Sequence, residues 1–296
     1  MNSVSKVVVV LALCTAASQV AAEERRLKPF VLASRAPGAV AAAAEEVKAK
    51  LAAAGFEVVG SYAPYAGAVV LAVTSEPLKA AVSQHAFGGY AAAQRVAVTR
   101  VGEETQVAYT NPVYMAHAYR LKADLAPVAA QLAAALGKVE EFGSAEGLTA
   151  KELRDYHYMM GMEYFDEPSR IGRFGSRKGA MQAIEAGLAA GRGGARLVYK
   201  IELPASNETV YGVALADGCS GDAHIMKEID AQPLRATPHL PYEILVSGMN
   251  AWALHARFRI AVDFPDLKMM GAHSFMNIRC APDAIEGALR RVTGQE

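Results

Sequence analysis

Two parts of the chain have similar patterns of hydrophobic and polar positions, and the patterned segments follow one another in the same order. The first begins at Ser34, continues through an alanine-rich amphipathic run and ends at Gly55, and the second runs likewise from Ser176 to Gly191. A serine near the cap position accepts hydrogen bonds from free amides, and a glycine just past the end adopts the left-handed backbone that closes a helix. Both runs therefore predict helices.

Strand-like sequence follows each predicted helix. FEVVGSYAPYAGAVVLAVTS and ARLVYKIELPASNETVYGVAL each predict two β-rich segments around a turn. A short helix is then expected near residues 76–90 in the first part and 222–229 in the second. A final helix is expected to begin at Ala126-Pro127 and at Ala281-Pro282, because proline in the first helical turn loses no hydrogen bond.

The repeated order predicts an α+β fold of two pseudo-repeated halves, each a β-α-β-β-α-β-β-α sandwich with helices on one face of its sheet. The expected domains are residues 28–137 and 171–296, joined by a helical connector of residues 138–170. Within the connector, Thr149-Ala-Lys-Glu152 has the pattern of a capping box. A helix is predicted from there through Met160.

The first half carries KPFVLAS, a helix that ends in LAAAGFEVV, and a later segment YTNPVYM before its final helix. In these segments and in their order, residues 28–137 resemble the bacterial domain-of-unknown-function family number 302. The resemblance implies a compact, often dimerising domain and brings no catalytic residue. The second half lacks the Gly-Phe junction and has a longer segment around residues 233–249.

The first 22 residues have the pattern of a secretory signal peptide. They carry one lysine, an apolar run from Val7 to Leu13 and small residues that end at Ala22. The apolar run is shorter than the roughly 20 residues that span a bilayer. We therefore expect cleavage near Ala22, a periplasmic or secreted protein, and no stable membrane insertion.

Charge and cysteine content narrow the possible partners. The chain has 30 basic and 30 acidic residues, and cleavage would leave 29 against 30, so nothing attracts nucleic acid electrostatically. Hydrophobic residues make up 52% of the chain, enough for one large core or two smaller ones.

Cys219 and Cys280 would remain after export, and an oxidising compartment favours a disulfide between them. The alternative is a pair of soft metal ligands.

Methionine and histidine recur close together. Met115 and His117 lie in YTNPVYMAHAYR, and Met270 and His273 lie in FPDLKMMGAHSFM. Each run has Pro, then Met, then Ala-His followed by a small residue and an aromatic. Two further pairs have the spacing of two residues that Met115 and His117 have: His157 with Met159, and His224 with Met226.

These residues are candidates for a metal or haem site. On a predicted strand, residues two apart point to the same face, so Met115 and His117 could share one ligand. A thioether with an imidazole suits copper-class ions and is a familiar axial pair for haem iron. Because the two runs hold corresponding places, His117, His273, Met115 and Met270 are expected at the junction of the halves. The ordinary alternative is that methionine fills the core and that duplication copied a structural histidine.

The expected function is that of an exported, non-catalytic binding protein that holds a copper-class ion or a haem, with no catalytic residue assigned. Covalent haem attachment is excluded, because the chain has no C-x-x-C-H. Three alternatives stay open: a carrier of an apolar small molecule, an enzyme that uses the connector tyrosines and carboxylates with a histidine as general base, and an assembly partner in a periplasmic complex. The partners left open by the sequence include a second copy of the chain, in a homodimer.

Overall fold

The computed structural model describes residues 25–295, so the predicted signal peptide and its cleavage near Ala22 lie outside the described residues. Within this range, none of the helices combines the length and apolar character that crossing a membrane requires. The described chain forms two antiparallel sheets with helices packed on them. The predicted α+β class is confirmed.

The first sheet has six strands and the second has five. The strands are β1 Phe30–Pro37, β2 Glu57–Tyr62, β3 Ala68–Thr74, β4 Gln94–Val101, β5 Glu104–Thr110, β6 Glu140–Phe142, β7 Ser169–Arg173, β8 Ala195–Leu203, β9 Glu208–Leu215, β10 Tyr242–Ser247 and β11 Asn250–Ala253. The helices are α1 Val40–Ala53, α2 Glu76–Val82, α3 Pro112–Ala118, α4 Ala126–Leu136, α5 Ala150–Arg154, α6 Arg177–Ala189, α7 Asp222–Ile229, α8 Ala256–Asp263 and α9 Ala281–Thr293. Short 3-10 segments occur at Gly88–Ala91, Arg192–Gly194, Gly218–Ser220, Thr237–His239 and Phe275–Ile278.

The two sheets have the same strand order. The first is β2-β3-β4-β5-β1-β6, and the second, starting from its other edge, is β8-β9-β10-β11-β7. Bulges also fall on corresponding strands: β1 and β7 are irregular against β5 and β11, and β2 and β8 against β3 and β9. The strand β6, from the segment expected to be a connector, pairs with β1 and has no counterpart in the second sheet.

Ser34 does not cap the first helix, because it lies on β1 and α1 begins at Val40 after Ala39, which forms no side-chain cap. Two further predictions of local structure are wrong. Met115 and His117 lie on the helix α3 and not on a strand, because Asn111 and Pro112 begin a helix there. The Asn111 side chain accepts a hydrogen bond from the Val113 amide at 3.2 Å, and Pro112 stands in the first turn.

The second error concerns the connector helix, which ends at Arg154 and does not reach Met160. Its start is as predicted, with the Thr149 hydroxyl and the Glu152 carboxylate forming the capping box. At its end, the Arg120 guanidinium donates to the Arg154 carbonyl at 2.7 Å, which satisfies a terminal carbonyl without another helical turn.

Each sheet has helices on one face and the opposite half on the other. Helices α1 and α4 pack on the first sheet, while α6 and α9 pack on the second. On the remaining faces, the segment Gly88–Ala91 contacts β9 and β10, and the segment Thr237–His239 contacts β3, β4 and β5. The halves thus exchange short segments, and one buried apolar cluster includes residues from both, such as Val98 and Leu245.

The edge strands β2 and β8 also meet. A Cβ atom added to Gly60 of β2 would lie 2.1 Å from the Val198 carbonyl oxygen of β8, so only glycine permits this approach. Val198 and Val59 are the extra residues of the bulges on their own strands. The contact joins the two sheets along their edges.

Candidate functional site

The junction of the halves is filled by buried charges. Arg95 of β4 and Glu243 of β10 form an ion pair at 3.3 Å, and their residues are only 1% and 5% exposed. The Arg95 Nε also donates to the Pro238 carbonyl at 2.8 Å, and the Tyr199 hydroxyl donates to Glu243 at 2.7 Å. Each buried charge therefore has hydrogen-bonding partners, as such groups need.

A second buried group lies beside this pair. The Arg259 guanidinium donates to Asp263, and the His239 Nδ1 lies 2.7 Å from the same carboxylate. Burial opposes ionisation of Asp263, but the Arg259 charge, the His239 hydrogen bond and the Arg95 charge together outweigh it and lower the pKa of that carboxyl. Burial lowers the pKa of His239 to about 4, so its ring is neutral near pH 7. At these residues the junction is a packed polar interior and not a ligand cleft.

Four polar atoms around this interior have no hydrogen-bond partner within the described residues. They belong to fully buried side chains, and buried polar atoms of this kind usually bind ordered water. The atoms are the hydroxyls of Tyr90 and Tyr119, the Nε of Arg259 and the Oδ1 of Asp263.

The structure places the predicted ligands on different elements. Met115 is buried, whereas His117 is partly exposed near Asp124 and Arg154, and burial lowers the pKa of its ring. Residues two apart on a helix point in nearly opposite directions, so Met115 and His117 do not share a face of α3. The Nδ1 of His117 has no hydrogen-bond partner within the described residues.

His273 and Met270 lie in the loop that follows α8. The His273 ring Nδ1 is 2.9 Å from the Glu228 carbonyl at the end of α7, and the Met270 side chain is exposed. No described contact joins His117 to His273. The structural counterpart of α3 is α8, since each follows the fifth strand of its half, so the two Ala-His runs do not occupy equivalent places.

The predicted disulfide between Cys219 and Cys280 is present, with a sulfur–sulfur distance of 2.16 Å. Cys219 lies in the segment Gly218–Ser220, and Cys280 is the residue before α9. A ring nitrogen of His224, in the first turn of α7, lies within 4.8 Å of both sulfurs. Among the described residues, these three form the one histidine, cysteine or carboxylate group with spacing suited to a metal ion.

The chemistry of this group depends on its redox state. As a disulfide, the sulfurs lack the charge of thiolate ligands, whereas reduction leaves two thiols beside an imidazole. The exposed Cys280 stands at the amino end of α9, where the helix dipole favours a thiolate. The His224 Nε2 is buried and has no hydrogen-bond partner within the described residues. It is therefore free to bind a ligand.

The buried carboxylate of Asp222, two residues before His224, is hydrogen-bonded through one of its oxygens. Asp222 accepts a hydrogen bond from the Tyr62 hydroxyl at 2.8 Å and from the Leu215 amide at 3.3 Å. Burial raises the pKa of Asp222 to about 7. Both bonds fall on Oδ2, whereas Oδ1 is buried and has no hydrogen-bond partner within the described residues. The donors that converge at the disulfide are sulfur and imidazole, and no carboxylate oxygen joins them within 4.8 Å.

Where an enzyme site at the connector is expected, the structure has a polar cluster around His255. Glu163 of the connector lies 3.5 Å from the His255 Nδ1, and the Ser169 hydroxyl lies 3.3 Å and 3.1 Å from the two ring nitrogens. The hydroxyl donates to Glu286 at 2.7 Å. A serine nucleophile would instead direct its proton to a single ring nitrogen. The cluster is therefore a group of ion pairs and hydrogen bonds and not a nucleophile with its base. No sequence pattern around His255 points to these partners.

Two cavities adjoin the connector. An apolar one of about 30 Å³ lies between Tyr158 and Phe275, and an open polar one of about 430 Å³ includes Tyr156 and Asp266. The apolar cavity is far smaller than the ~300 Å³ or more of a typical small-molecule site. In the polar one, Asp266 already accepts hydrogen bonds from Ser144 and the Ala145 amide. The geometry gives no support to a bound haem or a large apolar ligand at these two places.

Comparison with known proteins brings no assignment. No protein-family model matches the chain, and neither a curated protein nor a solved structure matches it. The resemblance of residues 28–137 to family number 302 therefore stays a prediction. Any function has to be inferred from the side chains themselves.

Proposed function

We propose that this chain is an exported protein that binds one copper-class ion, as Cu(I), when its disulfide is reduced. The ligands are the thiolates of Cys219 and Cys280 and the imidazole of His224. The observation that carries the proposal is the convergence of these three ligand atoms within 4.8 Å of one another.

The donor set selects the class of metal. Thiolates are soft ligands that favour Cu(I) and zinc over calcium or magnesium, and an imidazole is compatible with either of the former. Three protein ligands suit the low coordination number of Cu(I), while zinc would need a fourth. Within the described residues, no carboxylate oxygen joins the three ligand atoms within 4.8 Å, so no aspartate or glutamate is placed to supply it.

Loading requires a reductant of the dithiol class. The dithiol gives two electrons and two protons to the Cys219–Cys280 bond, becomes a disulfide itself, and leaves two thiols on this chain. Each thiol releases a proton as it binds the ion. An oxidant of the disulfide class reverses the step: the two thiolates give two electrons to its sulfur–sulfur bond, which takes up two protons and becomes a dithiol, while the Cys219–Cys280 bond re-forms and the ion is released. The redox state of this bond therefore controls binding.

Two further observations support an exported location. Residues 1–22 have the composition of a signal peptide, and a disulfide is compatible with an oxidising compartment. The expectation that Met115, His117, Met270 and His273 hold a copper-class ion or a haem remains a competing proposal. It lacks the convergence of ligand atoms that the cysteine site has.

The test is anaerobic titration of the reduced chain with Cu(I), in competition with a chromophoric chelator strong enough to strip ions from thioethers alone. We expect one Cu(I) per chain, at least a tenfold loss of affinity in His224→Gln, and no binding in Cys219→Ser/Cys280→Ser. The control His117→Gln should bind as the unchanged protein does.

Two results would overturn the proposal. One is retention of Cu(I) by Cys219→Ser/Cys280→Ser with loss in His117→Gln or His273→Ala, which would favour the competing methionine and histidine ligands. The other is the absence of any tight binding by the reduced chain. A haem absorption band in the purified protein would likewise favour the competing site.

A further inference from the structure

Two methionine-bearing loops meet on the surface beside α8. One is the connector turn at residues 157–162, and the other is the loop of residues 264–276. The rings of Tyr158 and Phe275 stack across the boundary, with centroids 6.3 Å apart and planes inclined by 25°. The sequence separates these loops by about a hundred residues, but the fold brings a methionine of each to one cavity.

Backbone hydrogen bonds hold the methionines of each loop together. The Met162 amide donates to the Met159 carbonyl at 3.0 Å, and the Met276 amide donates to the Met269 carbonyl at 3.1 Å. Met162 and Met269 then line the same small cavity, which connects the two pairs. Two methionines, one from each loop, therefore line one cavity, and backbone contacts hold Met159 and Met276 beside them.

The cavity between them fits a soft ion better than a hard one. Its volume of about 30 Å³ corresponds to the space of a single small guest, and no carboxylate lines it. The one charged side chain in the lining is Arg257, whose guanidinium lies 3.7 Å from Glu163 and 3.6 Å from Asp283. These carboxylates offset the charge that would otherwise repel a cation.

Core filling does not explain these methionines. Met159, Met269 and Met276 are 44%, 39% and 44% exposed, so their side chains remain partly in solvent. Of the eight large hydrophobic residues exposed in the described chain, five are methionines of these two loops. Flexible, accessible thioethers are suited to take up soft metals.

We propose that Met159, Met162, Met269 and Met276 form a second site for Cu(I), made of thioethers alone. This site extends the metal-binding function proposed above but does not depend on it, because thioethers need no reduction and bind with the disulfide intact. Thioethers are neutral and exchange ions readily, so the surface is suited to acquisition of the ion. The cysteine site, with charged ligands, would hold it more tightly.

The test uses the disulfide-bonded chain and Ag(I), a soft ion that serves as a redox-stable substitute for Cu(I). With ¹³C-methyl methionine labelling, we expect the methyl resonances of Met159, Met162, Met269 and Met276 to move on titration. Those of Met115 and Met226 should not, because both are buried elsewhere. Calorimetry should give at least a tenfold loss of Ag(I) affinity in Met162→Leu/Met269→Leu, which keeps the side-chain volume.

Matched variants distinguish this site from the cysteine site and from binding at any exposed methionine. Met249→Leu removes a methionine that is 45% exposed outside the two loops, and it should leave Ag(I) affinity unchanged. Cys219→Ser/Cys280→Ser should also bind Ag(I) fully, so a failure of the cysteine site would leave this result intact. Unchanged affinity in Met162→Leu/Met269→Leu would overturn the proposal. So would methyl shifts that follow protein concentration and sedimenting dimers in place of Ag(I), which would assign the surface to a second copy.

Discussion

Arg95 and Glu243 occupy the same position on corresponding strands and bind each other across the junction of the halves. Each is the second residue of its strand, β4 in the first sheet and β10 in the second, and their side chains lie 3.3 Å apart. The pair thus lies where two similarly ordered sheets meet. It occupies the place where the sequence pattern predicts a metal or haem.

Removal of one member of this pair should lower the free energy of unfolding strongly. Arg95→Met leaves the Glu243 carboxylate buried without its closest cation, and we expect a loss of about 3–5 kcal/mol in the free energy of unfolding. Urea denaturation measures it. Arg35→Met is the matched control, because it breaks the exposed Arg35–Glu104 pair and should cost ~1 kcal/mol or less. Equal losses in both variants would contradict the role given to the buried pair.

The edge contact between β2 and β8 should not tolerate a side chain at Gly60. Gly60→Ala places a methyl group 2.1 Å from the Val198 carbonyl oxygen, so one strand has to move. We expect a loss of about 1–3 kcal/mol or more by chemical denaturation. Gly175→Ala adds the same methyl group where nothing lies within 4 Å and should change stability little. A neutral Gly60→Ala would show that the strands are less tightly apposed.

Asp230 should make stability fall as the pH rises. Burial raises its pKa to about 7, above the ~4 of an exposed aspartate. A group with a raised folded-state pKa contributes its full stability below about pH 4 and loses that contribution as the pH approaches 7. Asparagine still accepts from the Ala236 amide, now 3.0 Å from Asp230, and does not ionise.

We therefore expect Asp230→Asn to unfold at higher urea concentration than the unchanged protein at pH 8 and at nearly the same concentration at pH 4. The difference at pH 8 should be about 1–4 kcal/mol. Asp283→Asn, at a side chain that is 87% exposed, should show no such trend. A difference that is constant with pH would exclude ionisation of Asp230 as its cause.

Reduction of the disulfide should lower stability without unfolding the chain. Cys219 and Cys280 are 61 residues apart, and opening a loop of this length costs about 4 kcal/mol of chain entropy. The expected result is a lower midpoint of urea denaturation when reductant is present. Cys219→Ser/Cys280→Ser should have the lower midpoint with or without reductant. If reductant destabilised that variant equally, the effect would not come from this bond.

Local signals predict much of the fold. The serine before α6 caps the helix through a hydrogen bond of 3.0 Å to the Gly179 amide, and the capping box of Thr149 and Glu152 forms as its pattern predicts. The same kind of signal, Asn111 followed by Pro112, marks the start of α3, although the β-rich residues before it favour a strand. A strand would put Met115 and His117 on one face, whereas the helix separates them.

The site could be predicted only in part, because distant pairing decides it. Cys219, His224 and Cys280 are each recognisable as possible ligands, yet their convergence depends on how α7 and α9 pack. Matching Ala-His runs suggest His117 and His273 as equivalents, although one lies on a helix and the other on a loop. The partners Arg95 and Glu243 come from strands about 150 residues apart, and no local pattern reveals such a pair.

Because each sheet is covered on one face by a short segment of the other half, the two halves are not independent folding units. A cut between the exposed residues Asp166 and Glu167 would yield two polypeptides, each of which lacks the cover for one face of its sheet. Expressed separately, the two polypeptides would expose apolar surface that is buried in the whole chain, and we expect them to aggregate. Produced together, they should reassemble without a linker, which would make this protein a natural basis for a split reporter of proximity.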